Sequence, residues 1–251
     1  MAEDVFAAAG CTILLPSRPG YGHTPLSTGT SVVGFTDVMG ELCAHLGIGR
    51  VAAVVGISGG GPTAATMAAR HASLVERLIL ISAVGWLPWP RMTRVGAHVA
   101  FTGVTEGLTW AGVRTFARLA PDAFLRVMMG TLSILPVEEV VARLSVQDRD
   151  LLLALFVRMR SGRGFLNDFR STPDITAEIE QPTLVIATRT DGGVSFANAR
   201  SLADTISHAE LIESRADSHF VWLGADWPAI SERIRCFLDT KPYLAAAEGP
   251  A

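Results

Sequence analysis

Residues 51–71 read VAAVVGISGGGPTAATMAARH, and this stretch decides the fold. Val51–Val55 is a short apolar run typical of a buried β-strand, and the alanine-rich run Thr63–His71 predicts a helix. Between them lies a glycine-rich turn, Gly56–Pro62, that fits the pattern G-x-S-x-G around Ser58. The stretch therefore predicts a strand, a sharp turn and a helix, with the serine hydroxyl projecting from the turn.

Short apolar runs alternate with helical patterns along most of the chain. Further strands are predicted at Thr12–Leu15, Leu78–Ile81, Thr183–Ala187 and Ala209–Ile212, and helices at Val32–Leu46, Ala197–Ile206 and Trp227–Leu238. Strands that are apolar at consecutive positions are typical of a parallel sheet covered by helices on both faces. We therefore expect an α/β fold with a mostly parallel sheet flanked by helices.

One segment, residues 86–170, breaks the alternation, because it shows helical patterns and no convincing strand. Its helices are predicted at Val95–Leu119, Pro121–Met129, Val137–Leu144 and Asp150–Arg160. An all-helical block inserted into a sheet predicts a helical cap. The expected organisation is a core of residues 1–85 and 171–240, a cap of residues 86–170, and a flexible tail of residues 241–251.

Two polar residues follow the later strands and complete a pattern with Ser58. Asp191 comes after the predicted strand Thr183–Ala187, and His219 comes after the next strand. The carboxyl ends of parallel strands meet at one edge of a sheet, so the three side chains are expected there together. A serine hydroxyl needs a base to become a good nucleophile. His219 would take its proton, Asp191 would hold the imidazole in the required tautomer, and the Gly59 N–H would donate to a developing oxyanion.

Other interpretations of the same residues stay open. Residues 59–64 also match the loose dinucleotide-binding pattern G-x-G-x-x-G/A, but that site needs an acid near the end of the next strand, and residues 82–85 contain none. The glycines would also suit a purely structural tight turn. Asp217 is an alternative acid, and His23 follows a loop near the active edge.

Two motifs resemble the α/β-hydrolase superfamily, and within it bacterial serine hydrolases. They are R-P-G-Y-G at Arg18–Gly22 and G-x-S-G-G-G-P at Gly56–Pro62. The resemblance implies the roles already described for Ser58, Asp191 and His219. It also implies a cofactor-free enzyme that cleaves a carboxylic ester or related acyl compound through an acyl-enzyme, with perhydrolysis and C–C bond hydrolysis as alternatives.

The chain departs from the superfamily pattern at its start. Members normally begin with a short β-meander and a His-Gly type loop that supplies the second oxyanion N–H, and neither is expected before Gly20. We therefore expect an N-terminally truncated sheet with an exposed edge, weakened activity, and association through that edge as a homo-oligomer. The alternative function is a catalytically impaired protein of this fold that acts as a small-ligand-binding or partner-dependent subunit.

Composition excludes several classes of protein. Of 251 residues 49% are hydrophobic and 18% charged, with a net charge of −3, which argues against disorder and against a nucleic-acid-binding surface. The longest apolar run, Leu151–Val157, is far shorter than the roughly 20 residues of a membrane-spanning helix. Acidic residues near Met1 and only three cysteines predict a cytoplasmic protein without a disulfide framework or metal site. The expected partner is a small apolar acyl or ester substrate. Three tryptophans of the cap could line a pocket for it, although packing alone is the commoner role of such residues: Trp86, Trp89 and Trp110.

Overall fold

The computed structural model describes residues 2–102, 105–160, 162–170 and 172–239. Within them, four strands form one parallel sheet in the order β1-β2-β3-β4. The strands are β1 (Val54–Ile57), β2 (Leu78–Ile81), β3 (Thr183–Thr188) and β4 (Ala209–Ser214). Every residue of β2 and β3 is buried, as expected of central strands covered on both faces. The predicted fold class is confirmed.

Helices occupy most of the remaining described residues. They are α1 (Glu3–Ala8), α2 (Val32–His45), α3 (Gly61–Arg70), α4 (Arg91–Ala100), α5 (Glu106–Leu119), α6 (Pro121–Leu132), α7 (Val137–Arg143), α8 (Val146–Arg158), α9 (Gly162–Asp168), α10 (Phe196–Thr205) and α11 (Trp227–Asp239). The structure also has short 3-10 helices at Leu26–Thr28, Ser58–Gly60, Thr176–Glu178 and Val221–Leu223.

The two faces of the sheet pack against different helices. Side chains of alternate strand residues point to opposite faces, so Ile79 and Ile186 join a core with α6, α8 and α11. Leu80 and Val185 join a second core with α3 and α10 on the other face. The helices between β2 and β3 therefore cover part of one face of the sheet.

We call residues 86–170, which contain α4 to α9, the helical insertion. Its described part has no β-strand, in agreement with the sequence pattern. The helix predicted at Val95–Leu119 is wrong in extent, because α4 ends at Ala100 and α5 begins at Glu106. The Thr105 hydroxyl donates to the Val99 carbonyl at 2.8 Å and thereby satisfies one of the carbonyl groups that the end of α4 leaves unpaired. The division into core and cap stays a prediction.

The predicted strand Thr12–Leu15 is wrong. Among the described residues it pairs with no strand, and the Leu15 side chain is 77% exposed. Apolar composition favours an extended segment, but a β-strand also requires a neighbour that completes its hydrogen bonds. The predicted tail, residues 241–251, lies outside the described residues.

Candidate active site

Ser58 lies on a strained turn between β1 and α3. Its φ of +52° belongs to the left-handed region, which costs a residue with a side chain roughly 1–2 kcal/mol. The Ser58 carbonyl accepts a 2.9 Å bond from the Val84 N–H, which holds the turn to the loop after β2. Two glycines make room for this arrangement. A Cβ at Gly56 would lie 2.8 Å from the Ala64 Cβ, and one at Gly61 would lie 2.2 Å from the Val84 carbonyl oxygen.

Asp191 and His219 form a buried pair in the loops after β3 and β4. The His219 Nδ1 lies 2.7 Å from the Asp191 Oδ2, and the two side chains are 7% and 1% exposed, respectively. The Asp191 Oδ1 accepts bonds from the Gly193 and Val194 N–H groups at 2.7 and 2.8 Å. These three bonds fix the carboxylate and assign the imidazole proton to Nδ1. The Nε2 of a neutral His219 is then left as the acceptor that a general base requires.

Ser82 attaches the histidine loop to the centre of the sheet. It follows β2, has a φ of +44° and is 1% exposed. Its N–H donates to the Ile186 carbonyl at 2.8 Å, and its hydroxyl donates to the His219 carbonyl at 2.9 Å. Ser82 was not among the predicted site residues, although its position directly after a central strand is a signal that would have identified it.

The structure therefore places Ser58, Asp191 and His219 at the carboxyl ends of β1, β3 and β4, respectively. Asp191 and His219 are in contact, whereas no hydrogen bond of the described residues joins the Ser58 hydroxyl to His219. Bonds between a nucleophile and its base are often long without substrate and shorten in the reacting complex. Gly59 lies in the 3-10 helix Ser58–Gly60, where the first N–H groups have no partner inside the helix.

The end of α6 in the helical insertion contacts the loops that carry Asp191 and His219 through its backbone. The Leu132 carbonyl accepts a 2.8 Å bond from the His219 N–H, and the Ile134 N–H donates to the Thr190 carbonyl at 2.9 Å. Ser133 between them forms an isolated antiparallel bridge with Asp191. No motif in the sequence marks this segment, because its contacts with the loops of Asp191 and His219 are made mostly by main-chain atoms.

Asp217, the alternative acid, has a different partner. Its carboxylate accepts a 2.8 Å bond from the Arg143 Nη1 in α7, and its side chain is 31% exposed. Its carbonyl accepts a bond from the Ser133 hydroxyl at 2.5 Å. Asp217 therefore holds the helical insertion to the histidine loop, while Asp191 contacts the imidazole.

The R-P-G-Y-G loop contacts the turn beside Ser58. The Arg18 Nη1 donates to the Gly59 carbonyl at 2.7 Å and to the Asp168 Oδ1 in α9 at 2.8 Å. The Tyr21 hydroxyl donates to the Asp168 Oδ2 at 2.5 Å. Burial raises the pKa of Asp168, although the Arg18 guanidinium opposes the shift, and burial together with the neighbouring carboxylate raises the pKa of Tyr21. The tyrosine therefore remains a hydrogen-bond donor at ordinary pH.

Other predicted site residues take packing or surface positions. His23 is exposed on its loop. Trp89 packs edge-on against Phe169 with ring centroids 4.9 Å apart, and Trp110 stacks on Phe101 at 5.7 Å. Trp86 packs against the second core.

The described residues contain no group of three or more His, Cys, Asp or Glu side chains arranged to hold a metal ion. They also contain no helix with the length and apolar character needed to cross a membrane.

Comparisons with known proteins identify the family of the chain. The alpha/beta hydrolase fold family matches residues 2–225. An uncharacterized hydrolase of Bacillus subtilis, YcgS, is 29% identical over 238 residues, which cover 92% of this chain and 83% of that protein. An alpha/beta hydrolase fold protein from Nakamurella multipartita is 25% identical with a TM-score of 0.75, covering 88% of this chain and 80% of that one. An esterase from Exiguobacterium antarcticum has a TM-score of 0.60 at 17% identity, covering 88% and 79%, and shows the fold alone.

The parallel sheet, the strained serine turn and the family match define an α/β-hydrolase-fold protein. The chain belongs to the alpha/beta hydrolase fold family. The family match and the Bacillus subtilis hydrolase together indicate that this chain is a hydrolase of the α/β type.

Proposed function

We propose that the protein is a cofactor-independent serine hydrolase that cleaves a carboxylic ester or a related acyl compound. The observation that carries the proposal is the buried pair of Asp191 and His219 at the same sheet edge as the strained turn of Ser58. Such a pair supplies an oriented base, and the turn supplies the hydroxyl of Ser58.

In the proposed reaction the Ser58 Oγ attacks the acyl carbon while the His219 Nε2 takes the hydroxyl proton. The carbonyl oxygen becomes an oxyanion, to which the Gly59 N–H donates. When the intermediate collapses, the bond to the leaving alcohol breaks and His219 returns the proton to that oxygen. Water then attacks the acyl-enzyme by the same route, which releases the acid and restores Ser58. Asp191 holds the imidazole and stabilises the imidazolium that forms twice in the cycle.

The helical insertion suggests an apolar substrate of modest size. We propose that it forms a cap over the site, since its α6 end bonds to both catalytic loops and its α9 bonds to Arg18, which contacts the turn beside Ser58. Trp89, Phe165 and Phe169 form an aromatic cluster on this part of the insertion. Aromatic walls with a few convergent polar groups are typical of small-molecule sites.

The direct test is covalent labelling with a fluorophosphonate probe. Intact-mass analysis should show one adduct on the wild-type protein, peptide mapping should place it on Ser58, and Ser58→Ala should abolish it. A p-nitrophenyl ester should be hydrolysed by the wild type and not by this variant. A protein that stays unlabelled but is stabilised by small apolar esters would instead be a non-catalytic ligand-binding member of the fold, and the proposal would then be wrong.

A further inference from the structure

The R-P-G-Y-G loop has no part in the proposed reaction, yet it contacts the residue next to the nucleophile. We infer that Arg18 is a positioning residue that, held by Asp168, fixes the Gly59 peptide and so couples the helical insertion to the nucleophile turn. This inference rests on the proposed function and extends it to two residues that do not touch the reacting atoms.

The peptide between Gly59 and Gly60 needs a contact from outside the turn to keep its orientation. Gly59 and Gly60 have no side chains that could pack, and a Cβ at Gly60 would meet nothing within 4 Å. Glycine has the largest backbone freedom of any residue, so the turn gains little rigidity from its own sequence. The 2.7 Å bond from the Arg18 Nη1 to the Gly59 carbonyl restrains this segment from outside. The Gly59 N–H belongs to the preceding peptide, whose Ser58 carbonyl accepts the bond from the Val84 N–H. The bonds from Val84 and Arg18 therefore hold the two peptide planes that meet at the Gly59 Cα, and loss of the Arg18 bond would free the φ and ψ angles of Gly59 to change.

Arg18 is itself held from the helical insertion. The same Nη1 lies 2.8 Å from the Asp168 Oδ1, and the guanidinium carbon lies 4.7 Å from the centre of the Tyr21 ring. The Tyr21 hydroxyl donates to the other Asp168 oxygen. Both carboxylate oxygens are therefore bonded, and the Arg18 and Asp168 side chains are only 22% and 14% exposed. An ion pair shielded from water to this extent depends on both partners, because removal of one leaves the other poorly compensated.

Two glycines bring α9 close enough for this contact. The Gly164 N–H donates to the Gly20 carbonyl at 3.2 Å, and a Cβ at Gly20 would lie 2.5 Å from the Gly164 nitrogen. Asp168 is four residues after Gly164, so it lies one helical turn further along the same face. The backbone contact between the loop and the helix therefore places the carboxylate beside Arg18.

A role through Gly59 predicts a specific kinetic effect. Displacement of the oxyanion donor should slow the chemical step and leave probe binding almost unchanged. For the fluorophosphonate, Arg18→Ala should lower the maximal labelling rate constant roughly 10- to 100-fold, with the half-saturating concentration within about threefold of the wild type. Arg18→Lys keeps the charge but replaces the planar fork by a single ammonium group, so it should restore part of the lost rate.

The coupling to the helical insertion is tested by a double-mutant cycle with Asp168→Ala. If Asp168 acts only by holding Arg18, the double variant should label no more slowly than Arg18→Ala alone. Arg233→Ala is the matched control. Arg233 in α11 pairs with Glu210 in β4, which is the edge strand opposite β1 and the Ser58 turn. The two side chains are 39% and 47% exposed. Wild-type-like labelling of Arg18→Ala would overturn the inference, as would a change confined to the half-saturating concentration or additive losses in the cycle.

A measurement without activity separates this inference from the proposed function. Hydrogen–deuterium exchange of peptides covering residues 57–62 should be faster in Arg18→Ala and Asp168→Ala than in the wild type and in Arg233→Ala. Absence of an adduct on wild-type Ser58 would contradict the proposed function. Unchanged exchange at the turn would contradict the positioning role even if Ser58 is labelled.

Discussion

Replacement of Asp191 by asparagine keeps the shape of the side chain but removes its charge and one acceptor. Asp191 accepts two backbone N–H bonds at Oδ1 and one imidazole bond at Oδ2. An asparagine oxygen can retain the two backbone bonds, since the Gly193 and Val194 N–H groups are fixed donors. Its amide nitrogen then faces His219 and can only donate. The imidazole must accept at Nδ1 and carry its proton on Nε2, where the proposed mechanism needs a free electron pair.

The size of the effect follows from this inversion. An imidazole in the wrong tautomer cannot take the serine proton, and in serine hydrolases with such a triad this change lowers turnover by roughly 10⁴-fold. At 1.36 kcal/mol for each factor of ten, the barrier rises by about 5.4 kcal/mol. The folded state loses one charge-assisted hydrogen bond, worth about 1.5–3 kcal/mol, while the two backbone bonds remain. Asp191→Asn should therefore fold with reduced stability and be almost inactive.

Asp217→Asn is the matched control for the experiment. It makes the same chemical change two residues from His219, where the partner of the carboxylate among the described residues is Arg143, in a pair that is 57% and 31% exposed. Exposed pairs of this kind contribute about 0.2–1 kcal/mol, so this variant should keep most of its ester hydrolysis and labelling rate. Both variants are compared by p-nitrophenyl ester turnover and by fluorophosphonate labelling, with thermal melting to verify folding. The assignment is refuted if Asp191→Asn retains more than about a tenth of wild-type turnover, or if Asp217→Asn loses as much as Asp191→Asn.

Two further predictions concern stability. Gly61→Ala would place a Cβ 2.2 Å from a backbone carbonyl oxygen, so the free energy of unfolding in urea should fall by about 1–3 kcal/mol or more. A Cβ at Gly60 would have nothing within 4 Å, so Gly60→Ala should change that free energy by no more than about 0.5 kcal/mol. Equal losses in the two variants would contradict the packing argument. Burial raises the pKa of Asp168, so the folded state binds the carboxyl proton more tightly than the unfolded chain does. The stability that this tighter binding contributes is fully present below the ordinary carboxyl pKa and is lost as pH rises through the raised pKa. The wild type should therefore exceed Asp168→Asn in free energy of unfolding by less and less as pH rises from about 4. Urea titrations at successive pH values measure this difference, and a difference that grows with pH would contradict a raised pKa of Asp168.

Sequence patterns predicted the central part of the fold because the signals there are local. The run Leu78–Ile81 is apolar at each position and forms β2 with the predicted bounds. The run Thr12–Leu15 carries a similar signal and forms no strand, since pairing depends on a neighbour that a local pattern does not specify. The helix predicted at Val95–Leu119 is divided into α4 and α5, and here too a contact outside the local pattern is involved. The Thr105 hydroxyl bonds to the end of α4 from five residues beyond it, a contact that helical periodicity does not register.

The order of Ser58, Asp191 and His219 after successive strands is visible in the sequence, because parallel strands bring their carboxyl ends to one edge. Which acid contacts the imidazole is not visible there, since Asp191 lies 28 residues from His219 and Asp217 lies much closer along the chain. The pairing of Arg18 with Asp168, 150 residues apart, likewise has no sequence signal. The sequence alone therefore determined the existence of the four paired strands, the strained turn and the chemical types of residue at the site, which depend on neighbouring residues and periodicity. Only the tertiary structure decided which of these residues meet, because hydrogen bonds and ion pairs depend on ångström-scale distances that chain folding sets.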